Sequence, residues 1–545
     1  MPRVRCQIVL VETLLVIALT AAAGAARLLS LGDSPAGLQG DEAWLGMEAR
    51  RILDEGAIGV WTPAAWGQPA GVFYWTAVFF ELFGDSPAVL RASISVLGVA
   101  TVPAMYLFIR SWYGPRAALI GTGLLVGSYW HIHFSRTAYP LTAVPLIESL
   151  VLFLLAVGWK RRSWWPFALA GLIAGLGVHT YRGYAFFLPV LALIWVAVLV
   201  SPPYSRRTLA RHAVAFLVPA VAAAMPLIMY VAENPEDYGD YSKVVSVFGN
   251  GDVEEAVESG TIAEFGGTRL LRGIEIYFVG GEPDFTDGTG TRALLDPLTA
   301  VLFAAGLAVS LVRARDRRGL LIAAGVLSGV AAVALTVDWG AARRSIVALP
   351  MVYAAAGMAG SELMRLSGRH MAPRIHGTVR LPGNLQPRSG VLWPQVAVAL
   401  VILVTANVFN GWLYTQRLLE SKAMRFAYPA EMTEVTEFLR TVPDAYVYFY
   451  SDRWSWDYET RRFLAPNTDG EDRSSKFASF SLGRAHHQRP VVYLLMGGYL
   501  DQVPALERRY PDGELVERTK DGEPTFSAYL VDVPDAVSVR IRAGR

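Results

Sequence analysis

Two acids in a row, Asp41 and Glu42, follow Gly40 in the stretch GLQGDEAWLGMEARRIL, residues 37–53. An exposed aspartate, with a pKa of about 3.9, is ionised at neutral pH, so Asp41 can take up a proton without special tuning. A neighbouring glutamate could help it hold a divalent cation. A plainer role also fits, because an Asp at an N-cap and an acid in the first turn both favour the start of a helix. Further along stand basic residues able to grip a phosphate through paired hydrogen bonds: Arg136 in HIHFSRTAY, Arg182 in TYRGY, and Arg343 with Arg344 in VDWGAARR. His131 and His133 form a His-x-His pair, which without further ligands nearby reads as a polar loop element.

The elements that must position these residues are membrane spans. The chain has 545 residues, 53% hydrophobic and only 18% charged, a composition that points to a polytopic membrane protein. Apolar stretches of span length occur at Gln7–Leu29, Leu90–Ile109, Ala117–Trp130, Leu141–Trp159, Trp164–Val178, Ala185–Val200, Ala213–Val231, Leu298–Val312, Leu320–Thr336, Ile346–Gly360 and Val391–Leu413. Basic clusters (RSWYGPR, KRR, SRRTLAR, RARDRR and a long segment from Ser361) fall in every second connection, and MPRVR opens the chain. The positive-inside rule makes those connections and the N-terminus cytoplasmic. The alternate connections, including the long acidic loops 30–89 and 233–297, then face outward together with every candidate residue named above. Arginines at outward span ends run against the usual charge bias, while anchoring at the interface is their plain role. The first apolar run, ending in TAAAGAA, also resembles a cleavable signal peptide, with the same topology after Ser30.

The first outer loop has an apolar stripe of Trp44, Leu45, Met47, Ala49, Ile52 and Leu53, followed by the aromatic WGQPAGVFYWTAVFFELFG; together they read as a loop lying on the bilayer surface. Glu12 and Glu148 fall inside spans and must face protein or a polar cavity, a buried structural hydrogen bond being the simplest account. From Ser421 the character changes. AEMTEVTEFLRTV has helical periodicity, AYVYFYS and RPVVYLLM are strand-like, and VERTKDGEPTFSAYLVDV carries an Asp-Gly turn between extended runs. The expected fold is mainly α: about eleven transmembrane helices over residues 1–420, with a small external α/β domain over 421–545. The single cysteine, Cys6, excludes an intramolecular disulfide framework.

The Asp-Glu pair of the first outer loop, the ARRIL helix and the QPAGVFYW segment together resemble the GT-C membrane glycosyltransferases of the protein O-mannosyltransferase and aminoarabinose transferase type, glycosyltransferase family 39. The resemblance continues through LRASISVLGVATVPAMYLFIRSWYGPRAALIGTGLLVGSYWHIHFSRTA, GLGVHTYRGYAFFLPVL and DWGAARRSIVALPMVYAAAG. It implies transfer of a sugar from a polyprenyl-phosphate carrier to an acceptor on the outer face. Asp41 matches the family's catalytic aspartate, with Glu42 orienting the acceptor or holding a divalent cation such as Mg or Mn. The resemblance also makes Arg136, Arg182, Arg343 and Arg344 partners of the donor phosphate, and His131, His133, Tyr139, Tyr181 and Gln68 substrate contacts. RTAYPLTAVP lacks the further Asp that many relatives carry there.

The acceptor implied is a protein, a lipid or a polysaccharide; the other partners are the bilayer and the carrier lipid, and no nucleic acid is expected. A polymerase or ligase acting on a lipid-linked glycan would use the same outer arginines. A transporter would show related halves and broken spans meeting at the midplane, whereas here the unusual residues concentrate in outer loops. A non-enzymatic assembly subunit would have no need of the acids and arginines together. The acidic ENPEDYGDYSK and NGDVEEAVESG of the fourth outer loop read as solvated loop or the wall of an acceptor path. The Ala, Gly and Arg bias and the lack of any Asn-x-Ser/Thr site point to a bacterial plasma membrane.

Overall fold

The computed structural model describes residues 2–63, 67–280, 285–287, 290, 292–337, 340–375, 392–474, 489–520 and 523–531. Among the described residues helix covers most of each of the eleven apolar stretches, Ala117–Trp130 being broken at Ser128. Eight helical segments are long and apolar enough to cross a bilayer: Val9–Leu28, Pro87–Tyr113, Pro140–Arg161, Arg182–Val200, Arg206–Glu233, Arg317–Ala334, Ala341–Ser367 and Trp393–Leu418. The other three expected spans form the shorter apolar helices Pro115–Gly127, Trp165–Gly177 and Pro297–Val312. Local sequence sets the boundaries. Ser86 caps the helix whose first residue is Pro87, Gly114 separates that helix from the next, and Asp296 accepts the amides of Leu298 and Thr299.

Small residues bring the helices close. In Trp165–Gly177, Gly171 and Gly175 lie one turn apart on one face, and a Cβ at either would overlap the carbonyl oxygen of Phe216 or Ala220 on the Arg206–Glu233 helix. Without a hydrophobic drive between helices in lipid, such backbone approach is what gives van der Waals contact. Glu12 meets protein as expected, accepting from Arg110 Nε at 2.8 Å and Tyr106 Oη at 3.1 Å. Glu148 is fully buried, but neither carboxyl oxygen has a hydrogen-bond partner among the described residues, so a structural hydrogen bond is not its account.

The chain packs as two compact units, Met1–Gly32 with Ala49–Met424 and Asp33–Glu48 with Arg425–Arg545. The division falls inside the Gly40–Glu55 helix. The first unit holds the apolar helices and a two-residue antiparallel pair, β1 (Trp61–Thr62) with β2 (Gln68–Pro69). The second is built on a five-stranded sheet of β3 (Tyr446–Tyr450), β4 (Asp469–Asp472), β5 (Val491–Leu495), β6 (Glu514–Lys520) and β7 (Glu523–Val531), in the order β4-β3-β5-β7-β6. β3 runs parallel to β4 and β5, whereas β7 pairs antiparallel with β5 and β6. The Ala430–Leu439 helix packs Met432, Val435, Phe438 and Leu439 onto one face of this sheet. The Asp-Gly turn at 521–522 lies outside the described residues.

Candidate functional site

Arg182 opens the 3-10 turn Arg182–Phe186 at the head of a span. Its Nε donates to Gly67 O and its Nη1 to Tyr238 O, both at 3.0 Å. The rings of Trp61, Tyr238 and Tyr241 stand 4.6, 4.6 and 4.5 Å from the guanidinium carbon. The three rings form an aromatic cage that holds the cation in place. Nη2 is buried and has no hydrogen-bond partner among the described residues.

On one side of Arg182 a cavity of about 790 Å³ runs between the Trp165–Gly177, Phe187–Val200 and Arg206–Glu233 helices, lined by Leu188, Trp195, Phe216, Leu227 and other apolar side chains. On the other side a smaller cavity of about 310 Å³ is lined by Gln68, Tyr181, Ser242, Ser246, Thr336 and Arg344. Tyr181, Arg182, Ala185 and Tyr238 wall both. An apolar cavity therefore meets, at Arg182, a chamber of mixed lining, with Phe186, Val245, Phe248 and Leu335 beside its polar groups, that also holds Arg344. The structure thus brings together Arg182, Arg344, Tyr181 and Gln68.

Arg343 belongs to a neighbouring cluster. Its Nε donates to Asp287 Oδ1 at 2.7 Å, its backbone amide donates to Asp287 Oδ2 at 3.1 Å, and its Nη2 reaches Thr286 Oγ1. The guanidinium lies over the Tyr139 ring, and Asp287 is fully buried. His133 joins by donating from Nε2 to Thr286 O at 2.8 Å. Arg344 Nη1 donates to Val337 O at 2.7 Å and to Thr336 Oγ1.

Arg136 and His131 serve a third group. Arg136 Nη1 donates to Ala26 O and Leu29 O, at 3.2 and 2.8 Å, so it caps the carbonyl end of the first helix. Arg27, fully buried, donates to Leu125 O and Val126 O at the end of Pro115–Gly127 and to His131 Nδ1 at 2.8 Å. Burial and the adjacent Arg27 push the His131 imidazole well below its usual pKa, so it stays neutral.

Asp41 and Glu42 lie in the second unit. The Gln39 carbonyl accepts the first helical bond, from Ala43 at 3.0 Å, so Gln39 is the N-cap rather than Asp41. Glu42 Oε2 accepts the Gln39 amide at 3.0 Å, the return arm of a capping box. The start of this helix also packs on the rest of its unit. Gly37 is pressed against the Tyr428–Ala430 backbone, Thr460 Oγ1 donates to Leu38 O at 2.7 Å, and Gly46 lies so close to the Phe463 ring that a Cβ there would be 2.5 Å away. Tyr458, beside Gly40 and Asp41, has its phenol pushed up to about 12, chiefly by burial and then by Glu459, so it remains a neutral donor. No group of three or more His, Cys, Asp or Glu side chains converges among the described residues.

Residues 67–230 match the model of the dolichyl-phosphate-mannose-protein mannosyltransferase family. The fold is similar to that of ArnT from Cupriavidus metallidurans in the apo state, with a TM-score of 0.56 at 15% identity over 95% of this chain and 98% of that one. The same protein bound to undecaprenyl phosphate gives 0.52 at 17% identity, over 94% and 97%. The apo oligosaccharyltransferase of Archaeoglobus fulgidus gives 0.52 at 13%, over 85% of this chain and 64% of that one. No curated protein sequence matches. The chain has the fold of these membrane proteins, and its residues 67–230 carry the family's sequence pattern.

Several residues around the candidate site carry no sequence signal strong enough to single them out. Trp61, Tyr238 and Tyr241 are ordinary loop aromatics until the chain folds them onto Arg182. Asp287 and Tyr458 meet their partners only through contacts distant in sequence. ENPEDYGDYSK held a usable hint, because its tyrosines are three apart on what becomes the Pro235–Val245 helix and so share a face.

Proposed function

We propose that this chain is a glycosyltransferase that moves a sugar from a polyprenyl-phosphate carrier to an acceptor hydroxyl on the outer face of the membrane, with inversion at the anomeric carbon. The observation that carries the reading is the apolar cavity that meets, at Arg182, a chamber that also holds Arg344. An isoprenoid tail suits the first and a phosphate the second, and ArnT bound to undecaprenyl phosphate, with the same fold, supports that choice. Arg182 Nη2, buried and held by the cage, is the donor left for a phosphate oxygen, and Arg344 in the same chamber adds positive charge. As the bond from the anomeric carbon to the phosphate oxygen breaks, that charge stabilises the leaving phosphate. Asp41 is the base that takes the acceptor's proton, with the Tyr458 hydroxyl beside it as a neutral donor. No step is routed through a metal.

Carrier binding tests the reading. In nanodiscs, Arg182→Gln should weaken polyprenyl-phosphate affinity about 10- to 100-fold, the range for a lost charged hydrogen bond, and Lys should restore only part of it. Thermal unfolding of the carrier-free variants controls for the clamp on Gly67 and Tyr238. Unchanged affinity in a folded Arg182→Gln protein would overturn the assignment. Turnover with a panel of polyprenyl-phosphate sugars and protein, lipid and polysaccharide acceptors then identifies both substrates, and product length separates a single-sugar transferase from a glycan ligase.

A further inference from the structure

The long connection between Glu233 and Pro297 contains the helix Ile262–Glu275, whose residues sort into three stripes. The first packs on the span Arg317–Ala334. Arg269 Nε donates to Ala334 O at 2.8 Å and its Nη2 to Thr336 O, while Gly273 lies against Val330, where a Cβ would be 2.8 Å from the carbonyl oxygen. Ile276, just beyond, is buried. The helix is thus held a full turn down from the end of a membrane span. The second stripe is apolar and outward: Leu270, Leu271 and Ile274 are 48%, 60% and 47% exposed. The third is polar, with Glu264, Thr268, Arg272 and Glu275; the last three, with Leu271, line a cavity of about 380 Å³.

A helix with one side on protein, one apolar side and one charged side is built for a boundary between oil and water. The apolar stripe continues the lipid-facing surface of the spans, where Leu327 and Leu335 of the neighbouring helix end are likewise exposed. We propose that Ile262–Glu275 lies in the membrane interface, with Leu270, Leu271 and Ile274 in the acyl layer of the nearer leaflet and the Thr268–Arg272–Glu275 side at the phospholipid headgroups. The occupant of the apolar stripe is bulk phospholipid. Arg272 is placed to meet its phosphate, and the cavity beside it is a headgroup recess. This inference stands apart from the donor assignment, because it needs only that the Arg317–Ala334 helix crosses the bilayer.

The chain's single cysteine makes the test direct. In a Cys6→Ser background, a nitroxide is attached to Leu271→Cys, Ile274→Cys, Glu264→Cys or Thr268→Cys, and the full-length protein is placed in nanodiscs of phosphatidylethanolamine and phosphatidylglycerol. Collision with dissolved oxygen should exceed collision with a water-soluble nickel chelate at 271 and 274, and the order should reverse at 264 and 268. Water-like accessibility at all four positions would overturn the proposal. Poor collision with both reagents at 271 and 274 would also overturn it, since that marks burial against a second copy or another protein. All four substitutions are at exposed or polar-stripe positions, and an unchanged melting curve confirms that the fold survives. As an independent readout, Leu271→Glu with Ile274→Glu should lower partition of the solubilised protein into phosphatidylglycerol vesicles without altering its melting curve in detergent; unchanged partition counts against the proposal.

Discussion

The helix that begins at Gly40 uses its two acids differently. Glu42 reaches back to the Gln39 amide at 3.0 Å, and Gln39 Oε1 in turn accepts the Asp41 amide at 2.5 Å. The cap is therefore complete without the Asp41 carboxylate. Replacing Asp41 by Asn removes a charge and a base, keeps the size of the side chain and leaves the Gln39–Glu42 cap in place, so the variant should fold normally and lose turnover by about 100- to 10,000-fold. Glu42→Ala should instead cost about 1 kcal/mol of stability, and Glu42→Gln should keep the cap, because either side chain can close the box. Turnover and thermal unfolding of the three variants settle the matter, and near-normal turnover in Asp41→Asn would remove it from catalysis.

Between elements, the Arg27–His131–Arg136 group ties the first helix to the Tyr129–Arg136 helix and to the end of Pro115–Gly127. His131 must stay neutral there, since its Nδ1 accepts from Arg27. A depressed folded-state pKa means that the stability this histidine contributes is whole above its unfolded value of about 6.5 and is lost as pH falls below it. Melting temperature should therefore drop from about pH 7 to about pH 5, and His131→Asn, whose Oδ1 can replace Nδ1 as acceptor, should flatten that limb. Equal slopes would show that this contact does not govern acid stability.

The same elements mark where sequence reading stops. Apolar runs of span length specify helices almost regardless of context, so even Pro115–Gly127 was legible, although it ends before the expected Trp130 because Ser128 caps a new helix. Alternation and a turn signal likewise gave β3, β5 and the β6–β7 hairpin. What could not be read was pairing at a distance. Nothing local says that residues 33–48 pack with 425–545, that Asp287 holds Arg343, or that Arg136 caps a helix more than a hundred residues earlier. Arginine type and loop position were visible, but the partner that decides whether an arginine serves the fold or a ligand was not.

For the whole molecule the open quantity is parity. If only the eight long helices crossed, the C-terminal unit would share a side with the N-terminus, and the basic run at Lys160–Arg162 would fall on the opposite side from RSWYGPR. Counting the shorter Pro115–Gly127, Trp165–Gly177 and Pro297–Val312 as crossings instead puts every basic connection on one side, as the positive-inside bias requires. Helices of 13 to 16 residues can cross where neighbours bury them and the bilayer thins locally. Eleven crossings, an odd number, then put the sheet unit and the 234–296 connection outside and the Val312–Arg317 connection inside. In intact cells carrying the Cys6→Ser protein, an impermeant maleimide should label Glu437→Cys and Glu254→Cys directly and Arg315→Cys only after permeabilisation. Labelling of Arg315→Cys in intact cells, or protection of Glu437→Cys, would mean that these eleven helices are not the set that crosses, either because one of the three short ones does not or because the fourth short apolar helix, Gly71–Phe83, does.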